Sequence, residues 1–331
     1  MLADRFGRVA TDLRVSLTDR CNLRCTYCMP AEGLDWTPSE QVLSAAEIVR
    51  VIALAVDEGV TEVRFTGGEP LLRVDLEEII AAVSSLPSAP SISLTTNGIG
   101  LDNRAVRLRD AGLKRINVSL DTLDRERFAT LTRRDRIERV FAGIDAALAA
   151  GLAPVKINTV LMRGVNDDEA LPLTRWALAK GVQLRFIEQM PLDPQHGWSR
   201  EEMVTADEIV AALSESLELT PHDESRGSEP AERWTVRDRS TGAEGVVGII
   251  GSVTRPFCQA CDRVRLTADG QLRNCLFAKD ETDLRGPMRQ GASDDAIVAL
   301  MRECLIAKRA GHGIGEPTFL QPPRPMSAIG G

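Results

Sequence analysis

The chain has 331 residues, enough for about two domains or one large α/β unit with an extension. Its 43% hydrophobic content is that of a folded soluble protein, and its net charge of −8 argues against general binding to a polyanion such as DNA. No apolar run is long enough to span a membrane and no signal peptide opens the chain, so the expected location is the cytoplasm.

Strand-like and helix-like segments alternate from residue 13 to about 217. The strands read LRVSL (13–17), EVRFT (62–66), SISLT (91–95), INVSL (116–120), PVKINTVL (154–161) and QLRFIEQ (183–189). Helical patterns lie between them near 44–58, 75–86, 102–111, 135–150 and 168–180, with a sixth at 205–217. Ser44 and Glu47 have capping-box spacing, and Gly59, Gly112, Gly151 and Gly181 fall where helices should end. Six β/α repeats imply a parallel sheet, because each crossover helix returns the chain to the same edge. Six units are too few for the usual eight-fold barrel, so the expected fold is α/β, an incomplete (βα)6 barrel over residues 1–217. From 218 to 331 the pattern changes to polar loop, short strands (RWTVRD, GVVGIIG) and cysteines, which reads as a C-terminal extension.

Strands of a parallel sheet are usually covered on both faces and continuously apolar. These are not. Arg14 and Ser16 share one face of the first strand, as do Arg64 and Thr66 in the second and Ser93 and Thr95 in the third. Asn117 and Ser119 follow in the fourth, Lys156 and Asn158 in the fifth, and Arg185 in the sixth. With the other face packed on helices, this polar track lines the interior. Four inward cations are costly unless an anion meets them. A multiply charged ligand such as a polyphosphate would do so; internal acids or solvated strand ends are the plainer alternative.

Seven cysteines are present. Cys304 lies in a helical pattern and reads as a packed core thiol. The other six form two incomplete triplets, Cys21, Cys25 and Cys28, then Cys258, Cys261 and Cys275. Structural zinc sites and electron-transfer clusters want four closing ligands. Three thiolates on a cubic [4Fe–4S] cluster leave one iron open to bind a substrate or cofactor. Zinc completed by His196, His222, His312 or a water is the competing reading.

The C-x3-C-x2-C run after the first strand, with Tyr27 before its last cysteine and FTGGEPLL at the end of the second strand, resembles the radical S-adenosylmethionine (SAM) superfamily. In that family the open iron chelates SAM and an electron releases a 5′-deoxyadenosyl radical. The stretches GRVATDLRVSLTDRCNLRCTYCMP, RFTGGEPLLR, TTNG, RFIEQMP, FCQACDRVRLTADGQLRNCLF and the terminal MSAIGG together resemble the GTP 3′,8-cyclases of molybdenum cofactor biosynthesis, over roughly residues 5 to 331.

The resemblance implies an incomplete triosephosphate-isomerase-type barrel, two [4Fe–4S] clusters and SAM as cofactors, and GTP as substrate. By motif, Cys21, Cys25 and Cys28 would hold the SAM cluster, and Tyr27, Gly68, Ser119 and Met190 would contact SAM. Cys258, Cys261 and Cys275 would hold the second cluster, whose open iron meets the guanine. Arg14, Arg64, Thr95, Lys156, Arg263 and Arg265 would hold GTP, with Arg185 as a further triphosphate contact. Gly330 and Gly331 would thread into the active site and assist turnover. Plainer roles stand beside these: backbone satisfaction for Ser119 and Thr95, core filling for Met190, a solvated strand face for Arg263 and Arg265. The implied partners are a flavodoxin-like or equivalent one-electron donor and a downstream cyclic pyranopterin monophosphate synthase. Neither nucleic acid nor membrane is expected, and a homodimer is compatible with the family. Two rival readings remain, a radical SAM peptide-modifying enzyme with an auxiliary cluster and a non-catalytic metal-binding or electron-transfer protein. A peptide would not need four inward cations.

Overall fold

The computed structural model describes residues 1–223, 226–316 and 318–330. Its strands are β1 (Asp12–Ser16), β2 (Glu62–Thr66), β3 (Ser91–Thr96), β4 (Arg115–Ser119), β5 (Val155–Val160), β6 (Gln183–Ile187), β7 (Leu217–Pro221), β8 (Glu232–Asp238), β9 (Glu244–Ile250), β10 (Arg263–Leu266), β11 (Gln271–Arg273) and β12 (Thr282–Asp283). Its helices are α1 (Ala45–Asp57), α2 (Leu76–Ser84), α3 (Ala105–Ala111), α4 (Arg125–Thr132), α5 (Ile137–Ala149), α6 (Ala170–Lys180), α7 (Ala206–Ser214), α8 (Arg285–Arg289), α9 (Asp294–Ile306) and α10 (Met326–Ile329). Among the described residues no helix is long and apolar enough to cross a membrane.

All these strands join one sheet in the order β12-β11-β10-β1-β2-β3-β4-β5-β6-β9-β8-β7. β10, β1 through β6 and β9 run parallel, and the outer strands at each end are antiparallel. The βα repeats and their parallel sheet are as expected. The C-terminal region does more than extend the barrel, because it supplies a parallel neighbour to each edge of the six-strand unit, β10 beside β1 and β9 beside β6. Open edges of a parallel sheet carry unpaired backbone groups, and these two strands satisfy them. The division drawn from composition at 217/218 falls inside β7. Among the described residues no pairing joins β12 to β7, so the strand order stays open.

The alternation along the strands sorts each one. Leu13 and Val15, Val63 and Phe65, Ile92 and Leu94, Ile116 and Val118, and Leu184 and Phe186 share one buried cluster with Ile48, Ile52, Ile79, Leu108, Ile144 and Leu173 of the helices. Each such aliphatic side chain contributes roughly 1.5–3 kcal/mol of burial. Helix α1 begins in the expected capping box, with Ser44 Oγ accepting from Glu47 N and Glu47 Oε2 accepting from Ser44 N. Helix α4 was not legible. RERFATLT buries only Phe128, Leu131 and Thr132, so its apolar stripe is thin, and Asp124 caps it by accepting from Arg127 N. Cys304 is buried in α9 with its thiol against Leu272 O, as a core thiol should be.

Candidate active site

Parallel register turns the polar track into rows across the sheet. Arg14 stands opposite Arg64 on one side and opposite Arg265 on the other. Arg64 in turn faces Ser93. Higher up, Thr95 faces Asn117, which faces Lys156. Ser119 faces Asn158, which faces Arg185. Beside Arg185 the next strand carries Gly248, where a Cβ would lie 3.1 Å from the Arg185 side chain.

These cations are poorly compensated. Asp12 is the acid among them, 3.7 Å from Arg14 and 3.8 Å from Arg263. Arg14 Nε and Asn158 Oδ1 are buried without hydrogen-bond partners. Among the described residues neither Lys156 nor Arg185 has a salt bridge, and burial with mutual repulsion weakens the protonated forms. Burial, then Arg64, pushes Arg14 well below the usual guanidinium range. Burial, then Arg185, pushes Lys156 down to about 8. Burial pushes Arg185 and Arg265 to about 10, with Arg64 and Arg263 adding to it. Clustered, desolvated like charges of this kind are a binding site for a polyanion. Internal acids account for part of the cluster: Asp12 sits by Arg14 and Arg263, Glu62 pairs with Arg115, and Glu229 lines the pocket of Lys156 and Arg185 and favours their charged forms, yet with Arg14 and Arg265 the cations outnumber them.

Arg263 and Arg265 do not lie on a solvated face. β10 is sandwiched between β1 and β11, and all four of its residues are buried. Arg263 stacks over Phe257 at 4.6 Å and donates to Ser228 O. Arg265 Nη1 donates to Gly330 O. Gly330 is itself wedged into the interior, since a Cβ there would lie 2.9 Å from Thr66 and 3.0 Å from Ser16. The tail therefore reaches the cation row, while Gly331 lies outside the described residues.

Beyond the strand ends two cysteine-lined cavities adjoin. The smaller is lined by Cys21, Cys25, Cys28, Gly67, Gly68 and Asn97. The larger, of about 250 Å³, is lined by Cys258, Cys261, Cys275, Arg14, Arg185 and Met190 among others. Tyr27, Thr95, Ser119, Asp121 and Met326 line both and form the seam between them. Met190 belongs to the larger cavity alone and also packs against a small cluster of Met203, Val253 and Ile314.

Backbone geometry fixes the first cysteine loop. Gly68 N donates to Thr18 O and Glu69 N to Arg20 O, both at 2.7 Å. A Cβ on Gly68 would fall 2.4 Å from the carbonyl oxygens of Asp19 and Arg20, so only glycine fits. Glu69 is fully buried and accepts from Leu71 N, Thr96 Oγ1 and Asn97 N, joining the ends of β2 and β3. Burial nevertheless pushes its carboxyl up to about 7. Tyr27 Oη donates to Asp121 Oδ2 at 2.7 Å, and Val160 N donates to Asp121 Oδ1.

The donor set fits iron–sulfur clusters. Burial raises the Cys21 thiol to about 11 and the Cys28 thiol to about 12, and raises Cys25 still more strongly. Buried thiols of this kind become thiolates when a metal takes the proton's place. Among the described residues no three Cys, His, Asp or Glu side chains close around a point that would hold a single ion. His222 Nδ1 instead pairs with Thr235 Oγ1, and His312 Nε2 with Ser252 O.

Residues 15–177 match the Radical SAM superfamily and residues 182–314 match Molybdenum Cofactor Synthesis C. The chain is 60% identical to the GTP 3′,8-cyclase of Streptomyces coelicolor, covering 100% of this chain and 96% of that one. It is 58% identical to the GTP 3′,8-cyclase of Corynebacterium glutamicum, covering 100% and 89%. The chain belongs to the GTP 3′,8-cyclase family. As a member of this family it is a radical SAM protein. The fold is shared more widely, for example with Streptococcus suis SuiB at a TM-score of 0.61 and 13% identity, covering 96% of this chain and 76% of that one. At that identity only the fold carries over.

Sequence reasoning missed several residues of this site. Asp12 precedes Arg14 by two and so lies on the same face, a signal available from alternation alone. Arg115 lines the cation pocket and pairs with Glu62, one residue before the strand as read from sequence. Asp121 and Asn97 follow strands β4 and β3, in loops where periodicity says nothing.

Proposed function

We propose that the protein converts GTP to 3′,8-cyclo-7,8-dihydro-GTP with cleavage of SAM to 5′-deoxyadenosine and methionine, the first step of molybdenum cofactor biosynthesis. The observation that carries this reading is the row Arg265–Arg14–Arg64, with Arg185, lining the cavity that Cys258, Cys261 and Cys275 also line, and Lys156 in the adjoining pocket that Arg64 and Arg185 share. In this reading the triphosphate lies on the cations and its charge relieves their mutual repulsion. The guanine lies toward Cys258, Cys261 and Cys275, and the ribose is held between, at the seam lined by Tyr27, Thr95 and Ser119.

Cys21, Cys25 and Cys28 would hold one [4Fe–4S] cluster and Cys258, Cys261 and Cys275 another. When bound and reduced, the first supplies the electron that breaks the S–C5′ bond of SAM. With that chemistry supplied, the 3′ hydrogen of GTP would pass to 5′-deoxyadenosine, C3′ would bond to C8, and one electron from the donor with one proton would complete the dihydropurine. The protein's own share is positional: two anchored ends would fix the sugar, and its burial beneath the strand ends would keep water and other hydrogen donors away. Gly68 and Ser119 would touch SAM, and Tyr27 would do so through its backbone, because its hydroxyl is committed to Asp121. Met190 would contact SAM only from the larger cavity. Gly330, beside Arg265, and Gly331, outside the described residues, would assist turnover. The reading also brings a flavodoxin-like or equivalent one-electron donor, a downstream cyclic pyranopterin monophosphate synthase, a cytoplasmic setting, a homodimer, and a division at residue 217 between SAM-handling and substrate-handling regions.

The deciding experiment is anaerobic turnover of the reconstituted protein with SAM, dithionite and GTP deuterated at C3′. Deuterium in 5′-deoxyadenosine with a cyclised GTP is the expected result. Cleavage of SAM without deuterium transfer would show that the substrate is wrong.

A further inference from the structure

Lys308 lies just beyond α9 and is 3% exposed. Its ammonium donates to Cys261 O at 3.0 Å and Arg263 O at 2.9 Å, and the third direction points at Cys261 Sγ, 3.7 Å away. Among the described residues it has no carboxylate partner. A buried ammonium without a counter-ion is costly, and two carbonyl dipoles do not neutralise it. The group facing it that can carry a full negative charge is the Cys261 sulfur, once that thiol is a metal-bound thiolate. Neither composition nor motif singled this lysine out, and the chemistry proposed above makes no use of it.

We infer that Lys308 is the built-in counter-ion of the second cysteine triplet, a positioning residue that holds Cys261 and raises the reduction potential of the cluster bound there. The inference rests on the reading of that triplet as a cluster site. Net charge and hydrogen bonds to cluster sulfurs set iron–sulfur potentials, and a cation held against a ligand sulfur in a closed interior favours the reduced state. Lys308 also holds the carbonyl of Arg263, so one side chain couples the cluster loop to β10 of the cation row. The site thereby keeps its negative cluster and its anionic substrate apart in charge: Lys308 compensates the first and the strand arginines the second.

The test is a redox titration of the full-length, reconstituted protein followed by electron paramagnetic resonance, with iron counted. The signal that changes when SAM is added marks the first cluster, and the unaffected one marks the second. Lys308→Met and Lys308→Gln are expected to lower the potential of the second cluster alone, by a tenfold change in reduced-to-oxidised ratio, about 59 mV for one electron. Lys308→Arg should stay near the wild-type value. Loss of only the second cluster's iron in Met and Gln, with retention in Arg, equally supports the counter-ion role. Unchanged potentials at full iron content would overturn the inference while leaving the cluster assignment standing. Loss of the second cluster in all three variants, with native circular dichroism, would make Lys308 a packing residue and also overturn it. Wild-type protein that holds iron for one cluster only would remove the cluster assignment, and this inference with it.

Discussion

Arg14 and Lys156 divide the labour of the site from the cysteines. Arg14 Nε has Asp12 at 3.7 Å but no hydrogen bond, and Lys156 has no salt bridge among the described residues, so each has hydrogen-bonding capacity that a bound anion would fill. Replacing either by alanine removes a charge-assisted contact worth about 1.5–3 kcal/mol, or roughly ten- to a hundredfold in GTP affinity. Calorimetric titration should show that loss, with the iron–sulfur absorption unchanged in both variants; its disappearance would contradict the division. Lys156 also sets a pH dependence. Its proton is held only up to about pH 8 in the empty site, against 10.5 for a free lysine. The cationic form therefore serves an anionic ligand below about pH 8, and affinity should fall as pH rises through that value. Fold stability has the opposite sense: the unfolded chain binds the extra proton between about 8 and 10.5, so stability rises over that window. Lys156→Arg should flatten the affinity profile.

Two connections between elements govern whether the cysteine loops can form. The turn after β2 sits directly on the backbone before Cys21, with no space for a Cβ at Gly68. Gly68→Ala is expected to displace that backbone and halve the iron to about four per chain, since one [4Fe–4S] cluster is lost and the other kept. Glu188, after β6, plays the corresponding role on the other side. It is 1% exposed and accepts from Ala206 N at the start of α7 and from Val253 N and Thr254 N after β9. Glu188→Ala leaves two buried N–H groups and one part-buried N–H group without their acceptor, at a cost of about 3 kcal/mol. A lowered thermal midpoint by differential scanning calorimetry would register it, whereas an unchanged midpoint would mean that water replaces the carboxylate. GGEP and RFIEQMP were both legible as motifs, but what their acids hold together was not, because the partners are backbone N–H groups from strands and loops distant in sequence.

At the scale of the molecule the sheet and the cysteine loops are separable. One continuous apolar cluster runs through β1 to β6, β10, β11 and the helices around them; the first cysteine loop touches it through Leu23, with Cys21 and Cys25 at its margin, and its members do not include Cys258, Cys261 or Cys275. Stripping iron should therefore loosen the two loops and leave the sheet intact. Hydrogen exchange of apoprotein against reconstituted protein is expected to lose protection around residues 21–30, 257–262 and 274–277 while β2 to β5 and β10 stay protected. Global loss of protection would show that the clusters hold up the fold itself. The C-terminal region is the second lesson at this scale. Composition marked it as an appendage, yet β9 and β10 are parallel neighbours of β6 and β1, and β10 delivers Arg265 into the row of Arg14 and Arg64 and Arg263 into the row of Asp12.

What the sequence determined by itself was the periodic and the covalent. Period-two alternation identified the six strands and their inward cations, glycines and a capping box marked the helices, and cysteine spacing identified two triplets each one ligand short. These are local properties, fixed by backbone geometry and by which residue types can bind metal. Tertiary structure decided what depends on register and on segments far apart in the chain. It set Arg265 beside Arg14, buried β10 on both sides, brought Gly330 to Arg265, joined Tyr27 to Asp121 and aimed Lys308 at Cys261. No periodicity encodes such meetings, because each is settled by strand pairing and by where a loop must pass to satisfy its own backbone.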